Sequence, residues 1–583
     1  MTGGSRETAA RAVIEGLTAY GVEVVFGNLG SDHTALIDAL ADLHEQGERV
    51  PAVVLAPHEA SALAAAHGYA LVRGRAQAVF VHVDVGTANL GGAVHNAARA
   101  RVPVLLFAGL TPYTMEGELP GSRNSYPNHL QDIPDQHGLV RPYVKWSYDL
   151  RTGANARQLV SRALQLAQSS PQGPVYLTGA REVLASVSTG RDVDPQRWRA
   201  VEQSPLQRSL VEEILAAVAG AEFPVLVTSS LGRDPDSVAV LVELAEALGL
   251  GVVEAVPDVL SFPADHELHV GFMAEPLLSR ADVLIAVDTH APWMPTRATP
   301  RDDARIFVLG PDPLNERTPL WYLEAEAFAR ADSPVALRQL RDGVRELADR
   351  GDVGGRRARL AAEHAAQRER WRGERDGGAG RLTVPLVCAT LERAIDPSTI
   401  VLNEAISNAE TVFRHLPRTH PGTRFASGGS SLGWSSAAAV GIKLARPDAT
   451  VVSIVGDGSY FLSEPSSSHW MAHRYGAPFL TVILDNGGWN ATKQNVIRQH
   501  PDGPAASSDR FWVNLAQEAD LPGVAAAAGG AYAGTASTVA ELEEQLRIGL
   551  EAVASGRAAV VSARLAPISG QRAVVLTTGV RSA

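Results

Sequence analysis

Short runs of apolar residues alternate with helical patterns along most of the chain. The first predicted strands cover residues 24–26, 52–55, 78–82, 104–108 and 175–177. The segments between them carry apolar residues at helical spacing, for example the alanine-rich stretch 59–71. Buried strands separated by helices are typical of a parallel, doubly wound sheet. We therefore predict a first α/β domain over residues 1–190.

The same alternation returns twice further along the chain. Predicted strands at 224–228, 251–255, 281–288 and 305–310 give a smaller middle domain over residues 195–345. Residues 346–381 are rich in Arg, Glu, Ala and Gly and predict a solvated helical linker. Strands at 400–402, 451–455, 479–484 and 558–566 predict a third domain over residues 382–566, followed by a tail, 567–583, that is either disordered or a lid. The predicted fold class is α/β, with three doubly wound parallel-sheet domains.

A tight turn ends one predicted strand of the third domain, and an amide side chain ends the next. Gly456-Asp457-Gly458 follows the strand at 451–455, and Asn486 with Gly488 follows the strand at 479–484. A helix between two parallel strands brings both ends to the same carboxyl edge of the sheet. A carboxylate, an amide oxygen and a glycine carbonyl suit Mg²⁺, and the glycines let a diphosphate approach the backbone. The alternative is an ordinary Asp-Gly surface turn.

The amino-acid composition limits the class of protein but does not indicate a particular reaction. With 45% apolar and 20% charged residues and no long apolar run, the sequence predicts a soluble globular protein that does not enter a membrane. The net charge of −12 argues against general nucleic-acid binding. The single cysteine excludes an intrachain disulfide and a cysteine metal cluster. The N-terminus lacks an apolar signal core, so a cytoplasmic location is the default expectation.

Motifs in all three domains follow the order and spacing of a known family. They read, in chain order, FGNLGS, HEASALAAAHGYA, VHVDVGTAN, FPADH, LNEAIS, LGWSSAAAVG and the GDG turn with its following Asn. On these residues the chain resembles the thiamin diphosphate-dependent decarboxylase and acetolactate synthase-like superfamily, and within it the benzoylformate decarboxylases. The resemblance implies a pyrimidine-binding first domain, a diphosphate-binding third domain, and thiamin diphosphate with Mg²⁺ as cofactors. It also implies an active site between subunits, hence at least a homodimer and commonly a homotetramer.

The resemblance assigns cofactor contacts to particular residues. Glu59 would hydrogen-bond the aminopyrimidine ring, and Leu432 would lie beneath the bent cofactor. Their alternatives are a helix-start glutamate favoured by the helix dipole and an ordinary core leucine. Asp457, Asn486 and the Gly488 carbonyl would hold Mg²⁺, with Asp485 standing where the family usually has Asn. The other predicted cofactor-binding residues are Glu404, Ile406, Ser407, Ser430, Gly456, Gly458, Ser459 and Trp489.

Three more positions match the benzoylformate decarboxylase active site. Ser31 would bind the substrate carboxylate, and His82 and His266 would transfer protons, since imidazole titrates near neutrality. The alternative is that each histidine is an ordinary surface or core residue, because the chain has 17 of them. In the long loop after the metal turn, Lys493 and Arg498 either face a second anionic group of the substrate or are solvated.

The sequence therefore predicts a thiamin diphosphate- and Mg²⁺-dependent lyase that decarboxylates a small 2-oxo acid to an aldehyde. Two alternatives share every cofactor residue: a carboligase like acetolactate synthase, and a 2-hydroxyacyl-CoA lyase. A third alternative is a catalytically silent homologue that only binds the cofactor.

Overall fold

The computed structural model describes residues 7–202, 204–375, 380–515 and 519–568. It contains three parallel sheets, one in each predicted domain, which confirms the α/β class and its three doubly wound parts. In the described part of the chain, no helix is long and apolar enough to cross a membrane. Of the predicted C-terminal tail, all but Pro567 and Ile568 lies outside the described residues.

The first sheet has six strands in the order β2-β1-β3-β4-β6-β5, all parallel. Its strands are β1 Val24–Gly27, β2 Ala52–Leu55, β3 Gln77–Val81, β4 Val104–Leu110, β5 Ser147–Leu150 and β6 Val175–Ala180. The helices of this part are α1 Ala9–Ala19, α2 Thr34–Glu45, α3 Glu59–Arg73, α4 Val83–Asn89, α5 Gly91–Arg99, α6 Pro127–Leu130, α7 Ala156–Gln168 and α8 Arg181–Leu184. All of the predicted strands are present, and β5 is an addition.

The middle sheet has five parallel strands in the order β11-β10-β9-β7-β8. They are β7 Pro224–Thr228, β8 Gly251–Glu254, β9 Val283–Val287, β10 Arg305–Gly310 and β11 Ala327–Arg330, with helices α9 Arg208–Gly220, α10 Pro235–Leu248, α11 Ser333–Gly343 and α12 Val353–Gly373.

Helix α12 lies within the predicted helical linker, and three of its 21 residues are buried. Its Arg356 is only 1% exposed and donates to the carbonyl oxygens of Val218 and Ala221 at 2.9 Å. Leu360 and Trp371 on the same helix are buried as well. The charged composition did not reveal these contacts, because long arginine side chains can cover apolar surface while their heads find carbonyl partners.

The third sheet has six parallel strands in the order β13-β12-β14-β15-β17-β16. The strands are β12 Ile400–Glu404, β13 Arg424–Phe425, β14 Val451–Gly456, β15 Leu480–Asp485, β16 Tyr532–Ala536 and β17 Ala559–Arg564. The helices are α13 Val384–Ala394, α14 Ala409–His415, α15 Ser435–Ala445, α16 Asp457–Leu462, α17 Pro465–Arg474, α18 Asn490–Gln499, α19 Pro504–Ser508, α20 Leu521–Gly529 and α21 Val539–Ala554.

The strand orders of the first and third sheets each contain a reversal point. The chain passes from β1 to β2 on one side and then returns to β3 on the other side of β1. In the third sheet it passes from β12 to β13 and then to β14 on the far side of β12. Open α/β sheets bind ligands in the crevice that such a reversal leaves at the carboxyl ends of the strands. The fold therefore provides two binding crevices, one at β1 and β3 and one at β12 and β14.

Helices α3 and α15 join the first and third domains through small residues. A Cβ atom on Gly68 would lie 2.3 Å from the carbonyl oxygen of Ala438, and one on Gly441 would lie 1.9 Å from that of Ala65. The two backbones therefore touch directly. Residue numbers fall along α3 as they rise along α15, so the helices cross in antiparallel directions.

A buried ionic cluster links the middle and third domains. Arg424 of β13 binds the carboxylate of Glu254, at the end of β8, at 2.5 Å, and the other oxygen of that carboxylate lies 3.2 Å from Nε2 of His269. All three side chains are buried. Burial opposes ionisation of Glu254, but the positive charge of Arg424 and the contact with His269 outweigh it and hold its pKa at about 2. The carboxylate is therefore charged at neutral pH and depends on Arg424 for compensation.

Replacing Arg424 by Met should destabilise the protein by about 3–5 kcal/mol, because it leaves a buried carboxylate without its cation. The control is Arg305→Met, which breaks a 2.6 Å pair with Glu326 at the surface and should cost about 1 kcal/mol or less. Urea unfolding measures both free energies, and equal losses in the two variants would contradict the interpretation.

Candidate active site

A carboxylate and an imidazole from neighbouring elements lie in the first crevice. The loop 28–33 follows β1, His82 follows β3, and Glu59 begins α3 after β2. Because these three strands are adjacent and parallel, their carboxyl ends lie side by side. The structure thus brings Ser31, Glu59 and His82 to one edge of the first sheet, as the sequence predicts.

Glu59 is buried, with 5% of its surface exposed. One carboxylate oxygen accepts a hydrogen bond from the Asn28 side chain and the other from the Asn89 side chain, both at 3.1 Å. The exposed helix-start glutamate, which was the alternative, is therefore wrong. Two amide donors therefore fix the orientation of the carboxylate.

His82 is paired with an aspartate that the sequence did not indicate. Its Nδ1 lies 2.6 Å from Oδ1 of Asp32, and its Nε2 lies 2.9 Å from the side-chain nitrogen of Gln131. Asp32 is 4% exposed; burial opposes its ionisation, but contacts with the imidazoles of His33 and His82 outweigh that cost and hold its pKa well below the usual range. In turn, the hydrogen bond to Asp32 raises the pKa of His82 against the opposing effect of partial burial.

Ser31 lies on the exposed side of the same loop, directly before Asp32. The residue before it must be glycine, because a Cβ on Gly30 would lie 2.0 Å from Nδ1 of His82. The loop therefore packs against the imidazole ring and holds Ser31 beside it. Its assignment to a substrate carboxylate remains a prediction.

The second crevice contains the predicted metal turn. Asp457 is the first residue of α16 and is 2% exposed; one of its oxygens accepts the N–H of Gly458 at 2.8 Å. The pKa of Asp457 is raised to about 6, chiefly by burial and also by the nearby charge of Asp485, while hydrogen bonds from backbone amides oppose the shift. A buried carboxylate in this state is a site where a bound cation would be strongly favoured.

Asn486 and Gly488 occupy the end of the adjacent strand. The Asn486 side-chain oxygen accepts the N–H of Gly488 at 3.2 Å, and Asn486 is 8% exposed. A Cβ on Gly488, where φ is +158°, would lie 2.1 Å from the carbonyl oxygen of Val513, so only glycine fits. Asp485, in contrast, contacts Gly487 and Ser562 of β17.

The donor set fits a magnesium ion. Asp457, Asn486 and the Gly488 carbonyl provide a carboxylate, an amide oxygen and a backbone oxygen from two adjacent strands, and hard cations prefer oxygen ligands. No cluster of three or more His, Cys, Asp or Glu side chains suited to a metal occurs among the residues that the structure describes. That result is compatible with a site in which one carboxylate is the only such ligand.

The remaining predicted cofactor residues surround this turn in different ways. The carboxylate of Glu404 accepts the N–H groups of Gly433, Trp434 and Ser435 at 2.5–3.0 Å and so caps α15, which leaves only its backbone for a cofactor. Ser430 is held by His95 of the first domain. Leu432 is half-buried between these two anchors, Ile406 is 48% exposed, and Ser407 is half-buried. The cofactor roles of all five remain predictions.

Gly456, Gly458, Ser459 and Trp489 line the turn itself. A Cβ on Gly458 would lie 2.4 Å from the indole ring of Trp489, so the ring packs over the glycine. Gly456 has open space at its Cβ position, with no atom within 4 Å. This open space beside a buried carboxylate is the room a diphosphate would need.

Three predicted residues bond side chains other than those already described. Within the described residues of one chain, His266 contacts Glu246 at 3.4 Å and the ring of Phe262, both in the middle domain. The amino group of Lys493 lies 2.8 Å from the carboxylate of Asp509. It also donates to the carbonyl oxygen of Ile568 and lies over the ring of Phe511. Arg498 is exposed on α18 and bonds Asn495. A substrate role for Lys493 therefore stays a prediction, and it would require the side chain to leave these partners.

Both crevices fall inside regions that match models of one protein family. Residues 7–139 match the N-terminal TPP binding domain of thiamine pyrophosphate enzymes, and residues 406–563 match the C-terminal TPP binding domain. The chain therefore belongs to the thiamine pyrophosphate enzymes, a superfamily that includes decarboxylases and acetolactate synthases.

Individual relatives differ in reaction. The chain is 27% identical to benzoylformate decarboxylase of Pseudomonas aeruginosa over 514 residues, which cover 85% of this chain and 90% of that one. It is 24% identical to the acetolactate synthase isozyme 3 large subunit of Escherichia coli over 506 residues, 84% and 83% of the two chains. A solved structure from Mycobacterium smegmatis, described as a candidate thiamin diphosphate-dependent enzyme, is similar with a TM-score of 0.78 and 26% identity, covering 97% and 100%.

The contact between Gly458 and Trp489 gives a test of the turn. Gly458→Ala must displace the indole ring and should destabilise the apoprotein by about 1–3 kcal/mol. Gly456→Ala is the matched control, because its methyl group enters open space and should change stability by less than about 0.5 kcal/mol. Urea unfolding compares them; indistinguishable variants would contradict the described packing.

Proposed function

We propose that the chain is a thiamin diphosphate- and Mg²⁺-dependent enzyme that decarboxylates a 2-oxo acid to an aldehyde without oxidation. The observation that carries this proposal is the pair of crevices. One holds the buried, doubly hydrogen-bonded Glu59 beside His82, and the other holds Asp457 with Asn486. A cofactor with a pyrimidine ring at one end and a diphosphate at the other needs both kinds of site.

Glu59 would bind and orient the pyrimidine ring, since its two asparagine donors hold the carboxylate in one plane. When bound, thiamin diphosphate supplies a carbanion that adds to a carbonyl group and then accepts the electrons released by loss of carbon dioxide. Leu432, three residues before α15, would support the cofactor from below by its bulk. The role is steric, so Ile or Met should replace it better than Ala.

Asp457, Asn486 and the Gly488 carbonyl would hold Mg²⁺, and the ion would neutralise the diphosphate. Asp485 would stay outside the ligand set, because its carboxylate is directed to Gly487 and Ser562.

Ser31 and His82 would act on the substrate. Ser31 lies at the exposed mouth of the first crevice and would bind the carboxylate that is lost. His82, with 23% of its side chain exposed, would return a proton to the carbon left by decarboxylation. His266 would join them only if another copy of the chain brought it near.

The two crevices of one chain are too far apart for one cofactor. From the crossing at Gly68, α3 extends about 13 Å to Glu59, at a rise of about 1.5 Å per residue. From the opposite contact at Ala438, the chain leads the other way to Leu432. Glu59 and Leu432 of one chain are therefore roughly 20 Å apart.

A complete site would consequently combine Glu59 of one copy with Asp457 of another, which makes the protein a homodimer at least and fits the expected homotetramer. Large apolar side chains are exposed near both crevices, as expected of surfaces that bind a second copy. Near the first they are Tyr113, Met115, Tyr126 and Leu130, and near the second Ile406, Phe461, Leu462 and Trp512.

A second candidate function is carboligation, in which the product carbanion attacks another carbonyl compound instead of taking a proton. The similarity to an acetolactate synthase large subunit favours it. The two reactions differ in whether a proton donor lies close to the carbanion. The His82–Asp32 pair supports the decarboxylase.

Purified protein should be reconstituted with thiamin diphosphate and Mg²⁺ and tested on a panel of 2-oxo acids, with and without acceptor aldehydes. Glu59→Gln should lower kcat on any substrate found by about 10²–10⁴-fold, the range of general acid–base effects, because a neutral amide cannot share the ring proton. Glu48→Gln, at an exposed position, is the control. An unchanged kcat in Glu59→Gln would refute the proposed role.

Asp457→Ala should abolish Mg²⁺-dependent binding of thiamin diphosphate, because it removes the one carboxylate of the proposed ligand set. Isothermal titration calorimetry with and without Mg²⁺ measures the affinity, and Asp502→Ala at an exposed position serves as control. Undiminished binding in Asp457→Ala would show that the metal lies elsewhere.

A further inference from the structure

Asp32 is a buried acidic residue whose two carboxylate oxygens both bond to neighbouring groups of the first crevice. Oδ1 lies 2.6 Å from Nδ1 of His82, and Oδ2 accepts the N–H of Val83 at 3.1 Å. Neither the sequence pattern nor the predicted roles of Ser31 and His82 account for it. One carboxylate thus holds both the ring of His82 and the backbone that follows it.

The backbone at this point is strained. Val83 has a φ of +31°, a conformation that β-branched residues avoid. Such strain persists only where the surroundings fix it, and the hydrogen bond from Val83 to Asp32 is one such restraint. Helix α4 starts here, so the position of His82 relative to the crevice depends on this turn.

Two glycines make room for the carboxylate. A Cβ on Gly109, at the end of β4, would lie 1.9 Å from Oδ2 of Asp32, and one on Gly30 would lie 2.5 Å from Oδ1. The carboxylate is therefore enclosed by backbone on two sides and has little freedom to move.

The other nitrogen of His82 faces the crevice. Nε2 lies 2.9 Å from the amide group of Gln131, which is half-buried on the long segment between β4 and β5. Since a carboxylate can only accept, Nδ1 must carry a proton when it bonds Asp32. Nε2 is then the atom that gains or loses a proton toward a ligand.

We propose that Asp32 is a positioning residue of the active site: it fixes the His82 ring with the Nδ1 proton toward itself and directs Nε2 to the substrate, while Gln131 occupies Nε2 until substrate replaces it. The catalytic part of this inference rests on the proposed function, because it assumes that His82 transfers the proton. The orientation of the ring does not, and it can be tested in the apoprotein.

The charged groups around His82 are few. Asp32 and His33 belong to the loop after β1, Asp84 follows on α4, and Glu59 lies at the start of α3. Of the three carboxylates, only Asp32 bonds the ring, whereas Asp84 and Glu59 act through charge alone. Asp84→Asn is therefore a matched control for Asp32→Asn: it removes one buried negative charge near the ring and keeps the hydrogen bond.

The test is carbethoxylation of the apoprotein with diethyl pyrocarbonate across pH 5–9, which is about two units either side of neutrality and spans imidazole titration. Mass spectrometry of the peptide containing His82 follows the reaction, because the reagent attacks only the unprotonated ring nitrogen. In the wild type, the midpoint of reactivity should lie above the ordinary value of about 6.5. Asp32→Asn should lower it by about one pH unit or more, and Asp84→Asn by less.

The proposal is overturned if Asp32→Asn shifts the midpoint no further than Asp84→Asn does. Should Asp32→Asn fail to fold, a wild-type midpoint at or below about 6.5 overturns it alone. Gln131→Leu should speed the reaction at His82 at pH values above the midpoint, because it frees Nε2. An unchanged rate would show that Gln131 does not cover Nε2. Because the experiment measures no turnover, its outcomes can be interpreted even if the proposed decarboxylation is wrong.

Discussion

The direct backbone contact between α3 and α15 is the constraint on which the arrangement of both crevices depends. Gly68 and Gly441 allow it, because any side chain at either position would collide with a carbonyl oxygen of the other helix. The contact fixes the first domain against the third in antiparallel register. It thereby places Glu59 and Leu432 at opposite ends of the pair, so that in the proposed assembly each chain contributes two half-sites to different active sites.

The buried carboxylates of the two half-sites differ in their electrostatic surroundings. In the first, a buried aspartate is compensated from within the chain, since Asp32 is held between His33 and His82 and stays charged. In the second, burial and the nearby charge of Asp485 together raise the pKa of Asp457 to about 6. The first half-site is therefore complete as a charged unit. The second offers the oxygen donors for the proposed cation.

Much of the second half-site could be predicted from sequence because it depends on chain order. Asp457 and Asn486 each follow an apolar run, and consecutive parallel strands must end at the same edge. The first half-site was less accessible. Glu59 and His82 were found by resemblance, but Asp32 looks like any polar loop residue, and Gln131 comes from a long irregular segment whose path no periodicity reveals. For Glu404 the sequence did not show that its carboxylate caps α15 through three backbone amides.

The strands that escaped prediction share a physical reason. β5, β11 and β16 lie at sheet edges or carry polar and glycine residues, and β13 has only two residues. An edge strand has one neighbour and little apolar surface to bury, so its sequence lacks the continuous apolar run of β3 or β14. The buried arginines Arg356 and Arg424 were equally hidden, since a charge pattern does not show which heads find carbonyl or carboxylate partners inside the protein.

The central claim is that a working site joins Glu59 of one chain to Asp457 of another, and complementation between two inactive variants tests it most directly. Glu59→Gln and Asp457→Ala chains, each without activity alone, would be unfolded, mixed in equal amounts and refolded together. Random pairing gives half hybrids with one intact site of two, so about a quarter of the wild-type activity should return. If the mixture stays as inactive as its components while refolded wild-type protein recovers, each chain builds its own site and the account is wrong.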